Sequence, residues 1–226
     1  MNETKLKLSV ASGKTQVSGL LWHPPEAIAL LVMAHGAGAN MHHTHMQSLA
    51  IALYQRNIAT LRYNFPFLEN GRKGRDSRAT TIATVRAAVT TGNQLAGTLP
   101  LLAGGHSFGG RMTSLAQAEH TLDGVQGLVF FSFPLHPPGK PGIDRAVHLA
   151  EINQPMLFIS GSRDKLASQP LLDSVLVRLG KAGALHYLAT ADHSYTILKR
   201  QRQGTDDVYT ETAGVVCHWI NQLKEP

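Results

Sequence analysis

Ser107 lies in the stretch LLAGGHSFGG, with Gly105 two residues before it and Gly109 two residues after it. That GxSxG spacing suits a serine hydroxyl lifted above the end of a sheet on a tight strand-to-helix turn. Such a turn strains the serine backbone, and side chains at Gly105 and Gly109 would collide within it. Leu101 to Gly105 reads as a buried strand, and a helix-capable stretch opens after Gly109 with Arg111, Met112 and Leu115. The free N–H groups of that helix, starting with Phe108, would face any oxyanion formed at the serine.

A serine hydroxyl is a poor nucleophile at neutral pH and needs a base. His193, in ADHSY, can take its proton during attack and return one to a leaving group. Asp164, in GSRD, can fix the tautomer of that imidazole and stabilise its charged form. Asp192 competes for this role, but a carboxylate adjacent in sequence rarely reaches its neighbour's ring. The second oxyanion donor is expected from HGAGA, His35 to Ala39, at Ala37, with Gly36 and Gly38 making its conformation possible. Gly36, Gly38 and His106 are assigned to the substrate-binding rim. This chemistry asks for no cofactor and no metal.

The surrounding pattern supplies elements to carry these residues. Thr4 to Val10 and Gln16 to Trp22 alternate apolar and polar residues across a Ser-Gly-Lys turn and predict an antiparallel hairpin. Short apolar strands are expected at Ala27 to Ala34, Ile58 to Tyr63, Val125 to Phe131, Met156 to Ser160 and Leu185 to Leu188. Helical spacing marks Met46 to Arg56, Thr80 to Ala96, the stretch after Ser107 to about Glu119, Leu171 to Leu179 and Asp206 to Leu223. Asn64 to Arg78 reads as a turn-rich basic loop, and Pro134 to Pro141 cannot be helix or inner strand. A short helix is expected at Asp144 to Glu151, with little chain inserted there to build a cap. Alternation of this kind predicts one α/β domain spanning residues 1–226: a mostly parallel twisted sheet with helices on both faces. Chemistry in such sheets sits at the carboxyl ends of the strands, and Ser107, Asp164 and His193 each follow one.

With 43% hydrophobic and 16% charged residues the chain has the composition of a soluble globular protein. Its charge of +6 is too dispersed to argue for nucleic acid, and the longest apolar run, Ala27 to Ala34, is too short to cross a bilayer. Cys217 is the lone cysteine, so a reducing, cytoplasmic setting is expected. The basic residues cluster at Arg72, Lys73, Arg75 and Arg78, either as a solvated loop or as a guide for a carboxylate- or phosphate-bearing substrate. His42, His43 and His45 read as a solvated helix start at the rim of the site rather than as metal ligands.

Through HGAGA, GGHSFGGRM, GSRDKL and ADHSY the chain resembles small, lidless α/β-hydrolases of the dienelactone-hydrolase-like kind. RYNFPF and PLHPPGKP make it similar to a branch that the hydrolase-like subunit of a histone acetyltransferase complex also resembles. Dienelactone hydrolases use a nucleophilic cysteine where this chain has Ser107, so their substrate is not implied. The resemblance implies an α/β-hydrolase fold with minimal or no cap. The expected function is that of a serine hydrolase cleaving an ester or thioester through an acyl-Ser107 intermediate, and with so little chain to build a cap the acyl group is expected to be small or exposed. A fold-sharing scaffold without turnover and a small peptidase are the alternatives.

Overall fold

The computed structural model describes residues 3–10, 15–72, 74–201 and 207–223. The Ser-Gly-Lys turn, Lys73 and the expected helix start at Asp206 lie outside the described residues. Eight strands form one sheet in the order β1-β2-β4-β3-β5-β6-β7-β8. They are β1 (Glu3–Val10), β2 (Thr15–Trp22), β3 (Ala29–Ala34), β4 (Ile58–Tyr63), β5 (Leu101–His106), β6 (Val125–Phe131), β7 (Met156–Gly161) and β8 (Gly183–Leu188). β1 and β2 pair antiparallel, β2 runs antiparallel to β4, and β3 through β8 are mutually parallel.

Strands β3 to β7 are apolar nearly throughout because both of their faces are covered. Helices α1 (Thr44–Gln55) and α6 (Val208–Leu223) pack one face through Met46, Leu49, Leu53, Val216 and Trp219. The other face is packed by α3 (Arg78–Ala96), α4 (Phe108–Glu119), α5 (Gln169–Leu179) and a 3-10 segment at Asp144–Glu151. That 3-10 segment occupies the place of the expected short helix.

Asn64 to Arg78, read as a loop, contains a four-residue helix, α2 (Pro66–Glu69). Pro66 starts it at a position where no backbone donor is needed, so the proline does not break it. Burial of Phe65 and Phe67 holds it down, and Glu69 ties it to β2 through Ser18 Oγ at 2.6 Å and to Asn64 Nδ2 at 2.9 Å.

The strand order reverses at β3, which has β4 on one side and β5 on the other. Successive chain segments therefore leave β3 and β5 side by side in opposite directions, opening a crevice at their carboxyl ends. The HGAGA loop follows β3 and Ser107 follows β5, so both candidate oxyanion donors flank one crevice.

Candidate active site

Three loops at the carboxyl edge of the sheet bring together the residues expected to act together. Ser107 follows β5, Asp164 follows β7 and His193 follows β8. His193 Nδ1 is 2.8 Å from Asp164 Oδ2, and its Nε2 is 2.8 Å from Ser107 Oγ. A carboxylate can only accept, so Nδ1 carries the proton and donates it to Asp164, while Nε2 accepts from the serine hydroxyl. The Asp164 side chain is fully buried and also accepts the Leu166 N–H on Oδ1 at 2.7 Å. Asp192 instead accepts the N–H groups of Ser194 and Thr196 on Oδ1, bracing the turn.

The backbone that presents these groups is strained where strain positions a side chain. Ser107 has φ 51° and ψ −114°, and its N–H continues the sheet by donating to Phe131 O at 2.9 Å. Thr190 (φ 62°) and Tyr195 (φ 64°) bracket His193, and Ser132 (φ 54°) ends β6. A non-glycine residue with positive φ costs about 1–3 kcal/mol, which the surrounding packing must hold. Tyr195 is held by burial of its ring and a hydrogen bond from its hydroxyl to Ile159 O at 3.1 Å.

The elbow glycines answer to strand β3. A Cβ on Gly105, whose φ is 148°, would lie 2.2 Å from Ala34 O, and one on Gly109 would lie 2.5 Å from the same carbonyl. Gly36 would meet His106 Nδ1 at 2.9 Å, whereas a Cβ on Gly38 meets nothing within 4 Å. Sterics therefore require glycine at position 36 but not at position 38. Ala37 between them is exposed at the mouth of the crevice, and Phe108, as the first residue of α4, has an N–H without an intrahelical acceptor.

Histidines around these residues brace the loops that carry them. His35 is fully buried; its Nε2 accepts the Phe65 N–H at 3.1 Å, so its Nδ1 donates to Gly36 O at 2.8 Å. It thereby fixes the loop that carries Ala37. His106, expected at the substrate rim, donates from Nε2 to the carbonyl of His193 at 3.1 Å and so clamps the loop of the candidate base. His45, expected at a solvated helix start, is buried with its ring 4.4 Å from that of His106 and its Nδ1 3.1 Å from the Tyr209 hydroxyl. Only His42 and His43 of that group are exposed. The sequence signal for His45 was helical: from Thr44 onward, positions 45, 49 and 53 share one face.

Burial lowers His35 and His106 from 6.5 to about 4. Both are neutral in the folded protein at pH values where an unfolded chain begins to protonate its histidines. Between about pH 6.5 and about pH 4 the unfolded state thus binds more protons, so stability is full above this window and falls as pH drops through it. Each such imidazole steepens the slope by up to about 1.4 kcal/mol per pH unit. Urea midpoints measured across the window should fall steadily, and the fall should be shallower in His106→Gln. A midpoint independent of pH there contradicts this assignment.

A family model described as an alpha/beta hydrolase domain matches residues 27–221. The chain belongs to the alpha/beta hydrolase family. Three solved structures place this alpha/beta hydrolase among folds of its own size. A dienelactone hydrolase from Anabaena variabilis is 21% identical, with a TM-score of 0.73, covering 97% of this chain and 98% of the other. An α/β serine hydrolase without a lid from Xanthomonas campestris is 20% identical, with a TM-score of 0.71 and coverage of 97% and 94%. The esterase domain of a Rhodothermus marinus protein is 16% identical, with a TM-score of 0.72 and coverage of 98% and 99%. At these identities it is the fold that is shared. Among the described residues of this alpha/beta hydrolase, no helix is long and apolar enough to cross a membrane.

Proposed function

We propose that this alpha/beta hydrolase cleaves an ester or thioester of a small molecule through an acyl-Ser107 intermediate. The observation that carries the reading is His193 bridging Asp164 and Ser107 at 2.8 Å on either side, with the serine on a strained elbow. Ser107 Oγ attacks the acyl carbon as its proton passes to His193 Nε2. Asp164 holds the imidazolium so formed. Negative charge on the former carbonyl oxygen is received by the N–H of Phe108 and that of Ala37, both at the crevice between β3 and β5. Collapse expels the alcohol or thiol, which takes the proton from His193. Water then repeats the sequence at the acyl carbon, with His193 as base, and frees the acid and Ser107.

The chain between β6 and β7 supports small or exposed acyl groups. It consists of the proline-rich stretch and the 3-10 segment Asp144–Glu151, whose Ala146 and Leu149 are buried in the core beneath α4 and α5. It packs against the domain rather than standing away from it as a separate cap. Turnover of para-nitrophenyl esters should therefore fall as the acyl chain lengthens. Mixing enzyme with para-nitrophenyl acetate should release a burst of nitrophenol matching the enzyme concentration, with the acetyl mass on the Ser107 peptide. Faster turnover of long-chain esters would refute the acyl-size reading, and an acetyl group mapped elsewhere would refute the nucleophile.

A further inference from the structure

Beside the nucleophile elbow lies a cavity of about 300 Å³ lined by Arg75, Arg78 and Arg111, with Asp76 and the ring of Phe108. Phe108, the residue after Ser107, lines one end of this space, which runs along α4 past Met112 to Leu115. The arginines come from separate segments: Arg75 from the loop before α3, Arg78 from the start of α3 and Arg111 from α4. Arg145, from the 3-10 segment, stands within electrostatic range of Arg75 and Arg111.

The local acids do not neutralise this group. Asp76 is engaged by the Arg72 guanidinium and by the Phe67 N–H at 2.8 Å, and Arg78 pairs with Glu119 at 2.7 Å. Among the described residues, Arg75, Arg111 and Arg145 have no carboxylate within ion-pair distance. The Arg75 guanidinium lies over the Phe108 ring at 5.5 Å, Arg145 Nη1 donates to His136 O at 3.1 Å, and Arg111 Nε is buried without an acceptor. Burial first, and then the neighbouring guanidinium groups, pull both Arg111 and Arg145 below the usual arginine range. Like charges converging on a cavity, with a buried donor unused, are costly unless an anion offsets them.

We propose that this cavity is an anion subsite in which Arg111 and Arg75, supported by Arg145, bind a carboxylate or phosphate group on the substrate whose acyl carbon meets Ser107. The inference rests on the hydrolase reading and adds the chemical class of the substrate. Guanidinium forks suit both kinds of oxyanion, and about 300 Å³ has room for one such group. The basic cluster expected from sequence around Arg72 to Arg78 supplies only part of it. Arg72 is spent on Asp76, while Arg111 and Arg145 come from elsewhere in the chain.

The test compares the mono-para-nitrophenyl ester of glutaric acid, which carries a free carboxylate, with para-nitrophenyl butyrate. Wild type should have the higher kcat/KM on the glutarate ester. In Arg111→Gln the ratio of the two should fall by about 10- to 100-fold, as expected for one charge-assisted contact, mainly through KM. Arg111→Lys should recover part of the ratio, and a ratio also cancels any unfolded fraction of a variant. Equal losses on both esters, or none, would overturn the subsite. Calorimetry with glutarate and with inorganic phosphate separates this result from the hydrolase reading and shows which oxyanion is preferred. If neither ester turns over, the hydrolase reading fails, and binding to wild type that is lost in Arg111→Gln still supports the subsite. No binding of either anion to wild type overturns it.

Discussion

Asp164→Asn is expected to lower kcat for ester hydrolysis by roughly 10⁴-fold with little change in KM, because it reverses the tautomer of His193. The two carboxylate oxygens have different tasks. Oδ1 accepts the Leu166 N–H at 2.7 Å, and Oδ2 faces His193 Nδ1 at 2.8 Å. An asparagine keeps its carbonyl towards Leu166, since only an acceptor fits there. Its amide NH₂ then points at His193 Nδ1, which must become the acceptor, so the proton moves to Nε2. An Nε2–H donates to Ser107 Oγ and cannot take its proton. The fold should persist, because the Leu166 contact is kept and the side chain is nearly isosteric. Steady-state kinetics beside a urea melt checks this, and loss of less than about tenfold in kcat would mean that Asp164 does not set the tautomer.

Gly104→Ala should abolish folding rather than tune activity. A Cβ at this position would lie 1.8 Å from Val129 O and 2.8 Å from Val129 C, deep in the sheet where β5 pairs with β6. Backbone on a central strand cannot swing aside as a flexible side chain can, so the two strands must part. The cost should exceed about 4 kcal/mol, a large share of the stability of a typical domain. Gly38→Ala is the matched control, since a Cβ there meets nothing within 4 Å. Little soluble Gly104→Ala beside normal Gly38→Ala is the expected result. A Gly104→Ala protein with a wild-type urea midpoint would mean that β5 and β6 approach less closely than described.

The contrast between those glycines shows what sequence can reveal. Gly105 and Gly109 are legible because the GxSxG spacing carries a geometric demand, although the group they must clear, Ala34 O, belongs to a strand far away in sequence. Ser107, Asp164 and His193 are legible for a related reason. Each stands just past a short apolar run, and parallel strands deliver their carboxyl ends to one edge. Gly38 looks like Gly36 in sequence, but only Gly36 has a neighbour, His106, that a side chain would strike.

Features that depend on packing between distant segments were not legible. His45 sits among exposed histidines in sequence, yet the turn of α1 drives it under His106. His106 reads as a rim residue until β8 brings the carbonyl of His193 to it. Arg111 and Arg145 are unremarkable singly and gain meaning only where α4 and the 3-10 segment converge on the loop bearing Arg75. The helix at Pro66–Glu69 is only four residues long and lies inside a turn-rich, basic stretch, so no helical spacing marks it.

Whether Ser107 is an activated nucleophile is decided by labelling with a fluorophosphonate probe, comparing wild type with Ser107→Ala. The probe needs a serine activated by its base and a formed oxyanion hole, and it needs no knowledge of the natural substrate. Covalent labelling of wild type should map to Ser107 and vanish in the alanine variant. A folded wild-type protein that resists the probe would contradict this, as would labelling that survives in Ser107→Ala.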